Sequence, residues 1–396
     1  MVEEEVQGII ISATPNRTFE DHEEPVLAVA VFPDMRRMVT GSGDKTLRLW
    51  DLKEGVVLKI MEGHCDWVGA VAISKDGGLI ASGDEKGGLI TWDGDTGKPL
   101  TQSFQAHSCI DSLDFSPDGA VLATGSWDKT TKLWNTKTWQ LHGNPIDCHD
   151  YVNCVRYSPS GEFLAIATLG KIQIWNPNTR ECISIFEGHA AHTSKSISRA
   201  SIRPFNKSLA WTPDGKRLLS AGTNADATIR EWDSTSWEQV GGSPWKGHDK
   251  QICAIAVNSA ATLVASASYD NDIRLWRLSD KRTIAIFRHS HWMRCVTFSL
   301  DGEHIISGGG NKKISEWAVP EDNISINTTA RNACLSGDLL IAEELLTQEI
   351  DSDPNDYISY ANRSFVMARK HVWDYALRDA LMVRYIDSFL KKVTYS

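Results

Sequence analysis

Residues 63–93 read GHCDWVGAVAISKDGGLIASGDEKGGLITWD. After His64 comes an alternating stretch, WVGAVAIS, then the turn KDG, a second stretch, GLIASG, a tight turn, and a third stretch that ends at Trp92-Asp93. Alternation of this kind predicts strands with one buried face, and Pro, Asp or Gly in the turns supplies the φ values that a hairpin needs. The unit recurs in both directions. Trp50, Trp92, Trp134, Trp175, Trp232, Trp276 and Trp317 follow one another at 42, 42, 41, 57, 44 and 41 residues. Self-similarity at a fixed period of this length is the mark of a repeat architecture. A small sheet cannot bury its own faces, so each copy must stack on the next. Seven units of four strands exceed what an open sheet holds without bare edges, which makes radial closure the expected solution.

Taken together, His, then Ser/Thr-Gly, then Asp, then Trp-Asp at a spacing near forty resembles the WD-repeat family across about residues 8–318. That resemblance implies a mainly β fold, a seven-bladed β-propeller over 1–319, closed by an N-terminal strand. Asn16–Glu20 is expected to supply it, because RTFEDH (17–22) parallels LKIMEGH (58–64). The resemblance also implies a hydrogen-bonded chain of Asp, His, hydroxyl and indole inside each blade. Carried over by position, the sets are Asp44, His22, Thr40 and Trp50 in blade one; Asp128, His107, Thr124 and Trp134 in blade three; and Asp270, His248, Ser266 and Trp276 in blade six. Four blades depart from the pattern. Lys86 stands in the Asp position of blade two, leaving His64, Ser82 and Trp92. Blade four keeps His149 and Trp175 but has Ile166 and a shortened turn. In blade five Asp226 lies two residues farther from Ser220 than usual, and in blade seven Asn311 replaces Asp beside His289, Ser307 and Trp317. Blades two and four are therefore expected to be the least rigid.

Ser, His and Asp recurring together invite a reading as hydrolase triads. Every hydroxyl has an indole partner, however, and no GxSxG elbow exposes a nucleophile, so no catalytic residue is expected. The 396 residues carry a net charge of −10, which disfavours general nucleic-acid binding. The eight Cys are dispersed without a CxxC pair, as in NCVRY (153–157) and RCVTF (294–298), and read as buried free thiols of a reducing compartment. His189, His192, His289 and His291 lie in different blades without supporting carboxylates, so neither a metal nor a cofactor is expected. The acidic start, MVEEEVQGIII, has too short an apolar run for a secretory signal, and no stretch is of membrane-spanning length. A cytoplasmic or nuclear protein is the expectation.

In the WD-repeat family the loop entering each blade and the turn before its Trp strand open onto one face, which usually binds partners. The copies place Trp67, Tyr151, Trp292 and Arg294 at blade entrances and Trp127 and Tyr269 beside the turn Asp. Aromatics and Arg dominate interface energetics. The 57-residue interval marks an insertion near 190–205 with Lys195, Arg199 and Arg203 and no acid.

Beyond AVPEDNISIN (318–327) the pattern turns helical, and 320–396 forms the second expected domain. Ala342 and Ala376 are 34 apart, as are Gly337 and His371, and SYANRSFVMARKHVWDYALRDA (359–380) resembles the tetratricopeptide family. Asn362 fits one position of a carboxylate clamp, whereas Asn327 and Arg331 stand where Lys and Asn are required. The resemblances together imply a non-catalytic scaffold or adaptor of the kind that eukaryotes, fungi among them, build from WD and helical repeats, with protein or peptide partners on the propeller face and the helical tail. The alternatives are a ubiquitin-ligase substrate receptor or a histone and chromatin reader. The first is weakened by WDLK (50–53), WDGD (92–95) and WDST (232–235), which lack the Arg that some such receptors carry after Trp-Asp.

Overall fold

The computed structural model describes residues 4–6, 9–189, 208–241, 244–320, 339–352, 357–372 and 374–382. Seven sheets with antiparallel cores follow in chain order, each with an inner strand whose neighbours are the inner strands of the adjacent blades. In blade one the order is Val26–Val31, Arg37–Ser42, Leu47–Asp51 and Val56–Met61. The apolar positions of these strands are buried between sheets. Phe32, Leu47, Leu49 and Met61 of blade one meet Val68, Ile80 and Trp92 of blade two. The alternation in the sequence is thus the record of blade-to-blade packing rather than of one shared core.

The ring closes by the expected route. Arg17–Glu20 is the outer strand of blade seven, antiparallel to Lys313–Ala318 with Phe19 opposite Ile314 and Glu20 opposite Lys313. Asn16 continues the join, since its backbone N–H donates to Glu316 O at 2.8 Å. Phe19 then packs with Val26, Trp50, Ile306 and Ile314 across the seam between blades seven and one.

One element was not foreseen. Upstream of the closing strand, Ile9–Ser12 pairs in parallel with Thr283–Arg288, the outer strand of blade six, and Glu4–Val6 folds back on it. Blade six therefore carries six strands. The outer strands of blades two and three span only Phe104–Gln105 and Ile146–Asp147. Among the described residues blade five has three strands, with Trp245 bridging Ile229 at its edge.

The chain divides into two compact units, one of residues 1–300 and 304–318, the other of 301–303 and 319–396. In the second, helix Leu339–Ser352 packs on helix Tyr357–Arg369 through Ala342, Leu346 and Val366, and a further helical stretch lies within 374–382. Arg363 makes a two-pronged contact with Asp379, 2.8 and 3.0 Å, and places its third nitrogen 3.1 Å from Thr347 Oγ1. A planar guanidinium suits such a fork. Gly337, Asn327, Arg331, His192 and the insertion with Lys195, Arg199 and Arg203 lie outside the described residues. No described helix is long and apolar enough to cross a membrane.

Candidate protein-binding face

The scaffold of this face is a set of buried polar chains. In blade one His22 Nδ1 lies 2.7 Å from Asp44 Oδ2, His22 Nε2 lies 2.8 Å from Thr40 Oγ1, and Trp50 Nε1–H donates to Thr40 Oγ1 at 2.9 Å. A carboxylate only accepts, so Nδ1 carries the proton and Nε2 accepts from the hydroxyl. Blade three repeats this with 2.8, 2.7 and 3.0 Å, and blade six with 2.7, 2.7 and 2.8 Å. Blade five completes it from His189, whose rings nitrogens lie 3.1 Å from Asp226 and 3.0 Å from Ser220 Oγ, with Trp232 donating to the same hydroxyl at 2.9 Å. Burial alone would raise the carboxyl of Asp128, but donation from His107 and Thr130 outweighs it and holds the group well below the usual carboxylate range. Asp44 and Asp226 are held low by the same balance.

Blade two corrects the sequence reading. Lys86 does sit in the turn, but Asp84, two residues earlier, supplies the carboxylate at 2.9 Å from His64 Nδ1. Asp84 also accepts from the backbone of Lys86 and Gly88 at 3.0 and 2.8 Å, so it organises the turn from the end of the strand. Gly87 takes the positive φ, 83°, that Lys45 and Lys129 take in the neighbouring blades, and a Cβ there would strike the carbonyl of His107. Blade two therefore has the full chain, with His64 Nε2 2.6 Å from Ser82 Oγ and Trp92 donating to it at 2.8 Å.

Blade four is built otherwise. His149 is exposed and lies 3.3 Å from Asp147, away from the sheet interior. Ile166 fills the hydroxyl position, and Trp175 Nε1–H donates to Gln173 Oε1 at 2.9 Å. Gln173 in turn donates to Cys148 O at 2.9 Å. The signal for this partner was present in the alternation KIQIW, where a polar residue faces the same side as Trp. In blade seven Trp317 donates to Ser307 at 3.3 Å, while His289 meets the Trp317 ring edge-on, 5.0 Å between centroids. Burial pushes the His289 pKa down to about 4. His291 points elsewhere, with Nδ1 2.9 Å from Ser290 Oγ.

In blades one, two, three, five and six the His–Asp link ties the entrance loop to the turn of the same blade. Gly43 N–H donates to Pro25 O, Tyr269 N–H to Gln251 O and Gly310 N–H to Trp292 O, at 3.0, 3.0 and 2.9 Å. The aromatics there form three groups. Trp127 stacks on Tyr151 at 5.5 Å, with the Lys129 ammonium 5.6 Å from the Tyr151 ring. Tyr269 and Trp292 meet edge-to-face at 5.5 Å. Trp67, beside Gly43, is 46% exposed. Arg294 departs from the rim: it belongs to the inner strand Met293–Phe298, reaches within 3.5 Å of Tyr269 Oη, and lines the central channel beside Asp111, Asn153 and Cys253. The channel encloses about 130 Å³ and is also lined by Arg156, which donates to Leu113 O and Val155 O at 3.1 and 2.9 Å.

The WD40 pattern described as "WD domain, G-beta repeat" matches residues 13–51, 55–93, 98–135, 140–176, 180–233, 241–277 and 281–317. The chain belongs to the WD40 repeat family. Among characterised relatives it is similar to nuclear distribution protein PAC1 of Arthroderma otae, 26% identical over 172 residues, which is 38% of this chain and 34% of that protein. It is also similar to the guanine nucleotide-binding protein subunit beta of Saccharomyces cerevisiae, 32% identical over 117 residues, 28% of this chain and 26% of that one. A third is the B-type cell cycle switch protein ccs52B of Medicago truncatula, 30% identical over 117 residues, 28% of this chain and 24% of that one. The chain thus spans about a third or less of these relatives. WD40 propellers generally mediate protein interactions.

Proposed function

We propose that this protein is a non-catalytic scaffold that docks a protein segment on the loop end of its propeller. The observation that carries this is the set of aromatic groups at that end: Trp67 is 46% exposed, Trp127 stacks on Tyr151, and Tyr269 meets Trp292 with backbone hydrogen bonds from Tyr269 to Gln251 and from Gly310 to Trp292. Rigid aromatics lose little conformational entropy on binding and bury large areas, so they anchor interfaces out of proportion to their number. Arg294 in the channel lining offers a charged contact to a side chain that enters between the groups. The second unit, 320–396 in this reading, adds a tetratricopeptide-like helical surface for a further segment. Both surfaces belong to a protein of the cytoplasm or nucleus. The test is affinity capture with the full chain and its Trp67→Ala/Trp292→Ala variant. Loss of the partners retained by the unaltered chain, with thermal unfolding unchanged, supports the assignment, and an identical captured set refutes it.

A further inference from the structure

The outer strands of blades four and six are near copies. Blade four reads Cys182-Ile183-Ser184-Ile185-Phe186-Glu187 and blade six Thr283-Ile284-Ala285-Ile286-Phe287-Arg288. Both are bulged at the same place: Ile183 is the extra residue between Trp175↔Cys182 and Ile174↔Ser184, as Ile284 is between Trp276↔Thr283 and Leu275↔Ala285. Both hold their Phe against the Trp of the next blade, Phe186 on Trp232 at 4.6 Å and Phe287 on Trp317 at 4.9 Å. They differ in what lies outside. On blade six the arm Ile9–Ser12 adds in parallel, with Ile10 opposite Ala285, Ile11 opposite Ile286 and Ser12 opposite Phe287. There Ile284 and Ile286 are 6% and 9% exposed, whereas Ile183 and Ile185 of blade four are 46% and 54% exposed.

We propose that the outer edge of blade four, Cys182–Glu187, is a strand-addition site for an extended segment of another protein, docking in parallel and carrying β-branched aliphatic residues in the places that Ile9–Ile11 take on blade six. Among the described residues no strand pairs outside Cys182–Glu187, and such an edge presents backbone donors and acceptors as a template for a further strand. The structure already contains one occupant of such an edge, so its chemistry is on the page. Charge refines it. Ala13 is next in register toward Arg288, and the equivalent blade-four residue is Glu187, so the incoming segment carries Lys or Arg there. Blade one has the third long outer edge, with Leu58 and Ile60 half exposed, but Lys59 occupies the position of Ala285 and Ser184. A lysine at that place guards an edge against pairing. A second copy of this chain is not the occupant, because its arm would have to leave its own blade six bare to cover another's blade four.

The probe is a fluorescein-labelled peptide of the arm sequence GIIISATP, alone and with Ala13→Lys, added to the full chain. The expected result is a saturable rise in anisotropy, tighter for the lysine peptide, and slowed backbone hydrogen exchange at 183–187. Ile185→Lys, an exposed substitution that leaves thermal unfolding unchanged, is expected to weaken binding by about tenfold or more. Absence of binding overturns the proposal. So does binding that survives Ile185→Lys, as exchange onto blade six would, protection appearing at 57–61 instead, or concentration-dependent self-association abolished by the same substitution, which would identify a second copy.

Discussion

Blades three and four are neighbours whose repeat lengths differ by one residue and whose interiors differ far more. In blade three Asp128, His107, Thr124 and Trp134 form an unbroken chain from the turn to the sheet. In blade four the histidine has left for solvent, an isoleucine fills the hydroxyl site, and a glutamine from the Trp strand accepts the indole N–H. The difference separates what a blade requires from what it merely uses. A buried indole N–H must have an acceptor, since an orphaned donor forfeits its hydration without return. Blade four does without the carboxylate and the imidazole altogether.

The largest effect that would break this comparison comes from Thr124→Val. It preserves volume and strands both His107 Nε2 and the Trp134 N–H, so a loss of about 2–4 kcal/mol in denaturant unfolding is expected. A loss near zero would mean that the hydroxyl is no hub. Blade seven sharpens the point through pH. His289 has a folded pKa near 4, below its unfolded value near 6.5. A group depressed in this way binds more protons unfolded than folded, so its contribution is intact above about pH 6.5 and falls away between there and pH 4. Thermal unfolding across that window is expected to show a decline of about 1–3 kcal/mol that flattens in His289→Phe, which keeps the edge contact with Trp317. Gln173→Leu in blade four is expected to cost about 1–2 kcal/mol by orphaning the Trp175 N–H and Cys148 O, again by chemical denaturation. The smallest effect is the most diagnostic of the pair: His149→Ala is expected to change stability by less than about 0.5 kcal/mol, whereas His107→Ala in blade three is not. Equal losses at the two histidines would erase the distinction drawn here.

Sequence reading located the polar chains where they depend on residues close together along the chain, and failed where an equivalent atom arrives from a neighbouring position. The blade-one, -three and -six sets are separated by regular spacings and meet at 2.7–3.0 Å. Asp84 escaped because a carboxylate at the strand end reaches the same imidazole as one in the turn, and spacing cannot distinguish them. His149 misled because a His before a strand looks the same whether it points inward or out. Of the face residues, Trp67, Trp127, Tyr151, Tyr269 and Trp292 lie at the loop end, while Arg294 is one residue into an inner strand and turns to the channel.

The order of the strands, the number of blades and the closing role of Arg17–Glu20 follow from the sequence by itself, because each blade is specified by alternation and turns within about forty residues. Only the tertiary structure decided which edges are covered. Ile9–Ser12 reaches blade six rather than its own sequence neighbour because closing the ring at blade seven carries the preceding residues to the next edge outward. Pairing across 275 residues, as of Ile10 with Ala285, leaves no periodic trace. The same closure that buries Ile284 and Ile286 leaves Ile183 and Ile185 to solvent on an almost identical strand.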